Sequence, residues 1–152
     1  MSGRETREPM DVRTKLSTLW IFAMFNYLYA DVMTLMDPVV SRRMASAAVG
    51  AIPVTPQFLL GAAVLMETAI AMVVLSRVLR RPANRLLNIA AGVLHTAAVT
   101  ASLFVGGGPA LYYVFFAAME IACTLFIIWQ AWQWKPAGEA REAVSAAPTA
   151  RR

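Results

Sequence analysis

Residues 110–132 read ALYYVFFAAMEIACTLFIIWQAW, a run with one charged side chain, Glu120. A helix needs about 20 mainly apolar residues to cross a hydrocarbon layer of about 30 Å at 1.5 Å per residue, so this stretch is long enough. Working outward, three more runs qualify: Leu86 to Val105, Gln57 to Leu79 and Leu16 to Met36. With 59% hydrophobic and 15% charged residues over 152 positions, the chain exceeds the roughly 45–50% apolar content of soluble domains. Backbone amides in lipid must be satisfied within each segment; four uninterrupted runs suit helices, whereas barrel strands would be shorter and alternating. The expected fold is therefore all-α, a polytopic membrane protein built as a four-transmembrane-helix bundle over residues 16–134. Residues 1–15 form a cytoplasmic segment, and the tail 135–152, rich in Ala, Glu and Arg with Pro136 and Pro148, reads as disordered and cytoplasmic.

Charge supports that arrangement and sets its direction. Fourteen Lys and Arg against 9 Asp and Glu give a net charge of +5, but the basic residues sit in short clusters between apolar runs, which excludes a nucleic-acid face. All of them except Arg42 and Arg43 precede span one, join spans two and three, or follow span four. The positive-inside rule then puts both termini in the cytoplasm of a bacterial plasma membrane. A signal peptide is rejected for span one because its apolar run is too long and no small-residue cleavage site follows.

Helix punctuation falls where the spans end. Asp37-Pro38 and Thr55-Pro56 read as N-caps with proline at the first helical position, and Pro109 is expected to start span four in the same way. Pro38 to Val49 suits a short interfacial helix on the outer surface, ended by Gly50. Trp20, Trp129, Trp132 and Trp134 at the inner ends, and Tyr112 with Tyr113 at the outer end, suit aromatic belts. Gly106 to Gly108 suit a tight outer turn rather than a phosphate loop, since no strand precedes them.

Each span carries polar groups that hydrocarbon disfavours. Asn26, Glu67, His95 and Glu120 lie near the span centres, and Asp31 lies about 7–8 Å further out at 1.5 Å per residue. A charged carboxylate at a helix centre costs about 2.5–3.5 kcal/mol. Glu67 and Glu120 must therefore be protonated, or face inward with partners such as His95 and Asn26. Spacing favours the inward view: Asn88, His95 and Ser102 repeat every seven residues, as do Tyr113, Glu120 and Ile127, with Ala117 and Thr124 beside them. Ala63, Glu67 and Ala71 give span two a similar line. The expected site is a midplane cluster of Glu67, His95, Glu120 and Asn26, with Asp31 and Tyr27 on the outer approach; a Tyr27 hydroxyl bond to Asp31 is feasible at i, i+4. Met66-Glu67-Thr68-Ala69 also echoes Met119-Glu120-Ile121-Ala122, which suggests a duplicated hairpin placing Asn26 and His95 at equivalent depths.

Other chemistries fit poorly. The Glu-x-x-His pairs of di-iron bundles are missing, because Cys123 rather than histidine follows Glu120 at i+3. One histidine cannot give bis-His haem ligation within a chain, and one cysteine forms no internal disulfide; Cys123 reads as a small packing residue. No metal, cofactor or catalytic residue is assigned.

Several stretches, Lys15 to Phe22 leading into Asn26 to Asp31 and Met36-Asp37-Pro38, then Phe58 to Ala62, Leu75 to Leu79, Ala83-Asn84-Arg85, Leu111-Tyr112-Tyr113 and Glu120 to Thr124, make residues 15–135 resemble a family of small bacterial four-span membrane proteins of unknown function. The resemblance implies a four-helix inner-membrane fold and supplies no reaction. In layout the chain is similar to DoxX-like proteins, some of which are associated with quinone-linked redox complexes. The leading expectation is a non-enzymatic bundle whose polar site takes a small lipophilic molecule or a proton, with the bilayer and a homodimer or complex partner around it. The alternatives are an accessory subunit of a larger membrane complex, redox ones included, and a membrane acid/base enzyme such as an isomerase.

Overall fold

The computed structural model describes residues 10–45, 48–49, 52–104 and 109–134. They form five helices, α1 (Val12–Met36), α2 (Pro38–Ala45), α3 (Pro56–Val78), α4 (Arg81–Ser102) and α5 (Leu111–Trp132). Between α2 and α3 lie two short antiparallel strands, β1 (Ala48–Val49) and β2 (Ile52–Pro53), with Val49 opposite Ile52. The four long helices form a ring: α1 packs on α3 and α5, and α4 packs on α5 and α3. Three of them, α1, α3 and α5, are long and apolar enough to cross a membrane.

Local chemistry explains the boundaries. Asp37 ends α1 in an extended conformation, its N–H donating to Met33 O at 3.0 Å, and its Oδ1 accepts from Val39 N at 2.8 Å to open α2. Thr55 caps α3 by accepting from Phe58 N at 3.1 Å, with Pro56 at the first helical position. Leu79 and Arg80, both extended, are the whole link from α3 to α4. The helices α1 and α4 start at Val12 and Arg81, earlier than apolarity alone implies, because backbone hydrogen bonding continues through the polar first turns that a hydropathy window discards. Helix α2 ends at Ala45 instead of Val49, and Ala48 and Val49 belong to β1. Ala110, not Pro109, occupies the N-cap of α5. Gly50, the Gly106 to Gly108 turn and the segments 1–9 and 135–152 lie outside the described residues.

The inward faces keep a four-three spacing: Leu16, Trp20, Ala23, Tyr27 and Ala30 on α1, and Ala117, Glu120, Thr124, Ile127 and Ala131 on α5 are all buried. That repeat suits helices packed at a shallow crossing angle. Trp20 is thus not part of a surface belt, whereas Trp129 and Trp132 are exposed. The interior holds Ser17, Ser76, Asn84, Asn88, His95, Glu120 and Thr124, while Phe25, Leu28, Leu60, Val64, Val74, Leu86, Phe115 and Leu125 face outward. The interior thus mixes these polar groups with the apolar Leu16, Trp20, Met72 and Ile127, and it is the apolar surface that departs from the pattern of a soluble domain.

Helices α4 and α5 pack tightly at Gly92. A Cβ added at Gly92 would lie 2.7 Å from Ile128 Cγ1 and 3.4 Å from Thr124 O, and the Thr96 and Thr124 hydroxyls meet at 2.7 Å beside it. Gly92→Ala is therefore expected to destabilise the bundle by about 1–3 kcal/mol through overpacking. Adding Ile128→Ala, which removes the obstructing carbons, should recover most of the loss; thermal unfolding in mild detergent measures both, and equal melting of all three proteins contradicts the packing.

Candidate functional site

The polar interior is built in two tiers. The lower tier ties the α3–α4 hairpin to α1. Asn88 Oδ1 accepts from Trp20 Nε1 at 2.8 Å and from Ser76 Oγ at 3.3 Å, while its Nδ2 donates to Asn84 O at 2.9 Å and Oδ1 at 2.6 Å. Asn84 Nδ2 in turn donates to Ser76 O at 2.6 Å. Because the indole N–H can only donate, it fixes which way the Asn88 amide points. Nearby, Ser17 Oγ donates to Val73 O at 2.8 Å and accepts from Arg77 Nε at 3.0 Å.

Above it sits His95, 1% exposed, with Trp20 edge-on at 5.4 Å between ring centroids and Tyr27 stacked at 5.5 Å. Its Nε2 lies 2.9 Å from Thr68 Oγ1, whose own proton goes to Leu65 O at 2.6 Å. A hydroxyl has one proton and a carbonyl has none to give, so Thr68 must accept from His95. His95 is therefore protonated on Nε2, and in its neutral form keeps a lone pair on Nδ1.

The upper tier is a cavity of about 140 Å³ lined by Tyr27, Ala30, Asp31, Leu65, Met66, His95, Ala98, Val99, Ser102, Tyr113 and Glu120. Its outer wall is held by Tyr113 Oη donating to Ser102 Oγ at 2.8 Å, and Ser102 donating to Val99 O at 2.7 Å. Asp31 is exposed and marks the mouth. Two groups in the wall are 5% exposed and lack a partner, the Tyr27 hydroxyl and Glu120 Oε1. Buried polar atoms are normally hydrogen-bonded, so a pair of unmatched ones facing one chamber calls for an explanation.

Of the residues expected at the site, His95, Glu120, Tyr27 and Asp31 come together around this cavity. Tyr27 is a buried wall residue rather than part of an outer approach, and its hydroxyl makes no bond to Asp31. Glu67 does not join them: it is exposed, because α3 turns Ala69, Met72 and Ser76 inward. Asn26 is half-buried and donates to Phe22 O on its own helix at 2.9 Å. The duplicated-hairpin symmetry fails with them, since Glu67 and Glu120 occupy opposite environments. Reasoning from sequence missed Thr68, one position from Glu67 and about 100° around the helix, and missed the Trp20, Ser76 and Asn84 network, whose visible trace is the Asn84, Asn88 spacing. Among the described residues no group of three or more His, Cys, Asp or Glu could hold a metal ion.

Comparison with curated proteins and with solved structures gives no match. Residues 7–140 match a family of unknown function (DUF6326), which spans both tiers of polar residues and every helix. The chain belongs to that family.

Proposed function

We propose that this chain is a four-span integral membrane protein of the bacterial plasma membrane, with both termini cytoplasmic, whose cavity binds a small amphipathic molecule. The observation that carries the reading is the pair of buried, unpartnered groups, Tyr27 Oη and Glu120 Oε1, in one chamber wall. Intramembrane ionisable groups that face a cavity mark ligand or ion sites by default. The apolar surface supports insertion: α4 buries Asn84, Asn88 and His95 and turns Leu86, Val93 and Leu94 outward, so it suits a fourth span despite its polar face. A DoxX-like layout is consistent with this reading. Mass spectrometry of small molecules that co-purify in mild detergent tests it. Wild type is expected to carry a compound that Glu120→Gln and Tyr27→Phe lose while eluting as folded protein; identical content in all three counts against binding.

Glu67 favours a second role for the surface. Leu60, Val64, Glu67, Val74 and Val78 follow a heptad line on the exposed face of α3. A lone carboxyl facing lipid is costly, and a second copy packed about a two-fold axis would place its own Glu67 against it and take both out of the lipid. Disulfide cross-linking in membranes is expected to trap a dimer with Val64→Cys and none with Phe115→Cys on α5; equal cross-linking removes the seam.

A further inference from the structure

We infer that the ligand of the Glu120 cavity is a small organic cation, a primary or substituted ammonium with an apolar body. The inference rests on the ligand-binding reading of the same chamber and concerns which chemistry the chamber accepts. The wall is rich in hydrogen-bond acceptors and nearly empty of donors. Ser102 gives its proton to Val99 O, Tyr113 gives its proton to Ser102, and Thr68 gives its proton to Leu65 O. The Nε2–H of His95 is committed to Thr68. Among the described residues, what is left without a partner in the wall is the Tyr27 hydroxyl and the Glu120 carboxyl, which only accepts when ionised, with the carboxylate of Asp31 at the mouth.

Charge points the same way. Among the described residues no lysine or arginine lines the cavity. Of the described cations, Arg77 on Ser17, Arg81 on the Trp134 carbonyl and Arg85, with its guanidinium 5.5 Å from the Trp132 ring centroid, are engaged at the opposite end, and Arg42 on α2 donates its Nε–H to Pro38 O at 2.9 Å. An anionic ligand would meet two carboxyl groups and find a single donor. A neutral ketone or quinone, which only accepts, would find that same single donor beside an ionised Glu120 and would leave the carboxylate without a partner. An ammonium brings several N–H donors and the missing positive charge together, and charge-assisted bonds to carboxylate are the stronger kind. Size limits the body: the 140 Å³ chamber is close to the roughly 150 Å³ that holds a benzene molecule.

Full-length protein in detergent, titrated with benzylamine and with its neutral analogue benzyl alcohol, tests the assignment by calorimetry or ligand-observed NMR. Benzylamine, an ammonium at neutral pH, is expected to bind at least about tenfold more tightly than benzyl alcohol. Glu120→Gln should abolish most of that preference. Asp31→Asn, at an exposed position that folding does not need, should weaken benzylamine by a few-fold and leave the alcohol unchanged. Equal binding of amine and alcohol overturns the cation assignment while the binding site itself survives. A preference that persists in Glu120→Gln overturns the role of that carboxyl. Failure of wild type to bind either compound overturns both the cation assignment and the ligand-binding reading.

Discussion

Asn88→Ala is expected to lower the stability of the bundle by about 2–4 kcal/mol, the largest loss from any single polar truncation in the interior. All four hydrogen-bonding positions of the Asn88 amide are used, and its partners Trp20, Ser76 and Asn84 are fully buried. Truncation leaves the Trp20 indole N–H and the Asn84 amide oxygen without a partner, and each orphaned buried group costs about 1–3 kcal/mol. Interhelical hydrogen bonds in membranes average only about 0.6 kcal/mol, because unfolded helices in lipid find substitutes. Here one side chain serves two other helices at once, so the larger figure governs. Unfolding followed by tryptophan fluorescence reads the effect directly. A Trp20→Phe, Asn88→Ala double-mutant cycle should show coupling between the two positions; additive losses or a change below about 0.5 kcal/mol would remove the network from the account.

Glu120→Leu should do the opposite, raising stability by about 1–2 kcal/mol while eliminating ligand binding. The Glu120 carboxyl is buried with Oε1 unpartnered, so the fold carries the cost of a desolvated polar group and gains no bond for it. Leucine fills similar volume without that cost. A carboxyl that served only to hold helices together would give the reverse sign, a destabilised leucine variant, so the direction of the melting shift separates the two roles. Trading activity for stability in this way is the usual mark of a binding or catalytic position.

The parts of this architecture that depend on apolar run length were readable from the chain. Four long runs became four long helices, and Asp37 and Thr55 stopped and started helices as their side chains dictate. Heptad lines through His95 and through Glu120 also found the inward faces of α4 and α5. The same logic failed on α3, because Ala63, Glu67 and Ala71 form as regular a line as the true inward face and periodicity cannot say which line meets the neighbours. Small residues suit either a helix interface or lipid. Trp20 was misread for a related reason: an indole near a span end anchors well at an interface, but it also donates well to a buried amide, and only the position of Asn88 on another helix decides between them. The strands at Ala48–Val49 and Ile52–Pro53 are two residues each, too short to show any alternation.

The division of the interior into a clamped end and a hollow end governs how the molecule can move. Leu79 and Arg80 alone connect α3 to α4, and Asn88 fastens that corner to α1, so any tilt between helices pivots there. Ser102, at the far rim, lies about 21 Å along α4 from Asn88 at 1.5 Å per residue. A rotation of a few degrees that barely disturbs the clamp would widen the rim by an ångström or more, so a guest would enter and leave beside Asp31, with traffic through the opposite end blocked.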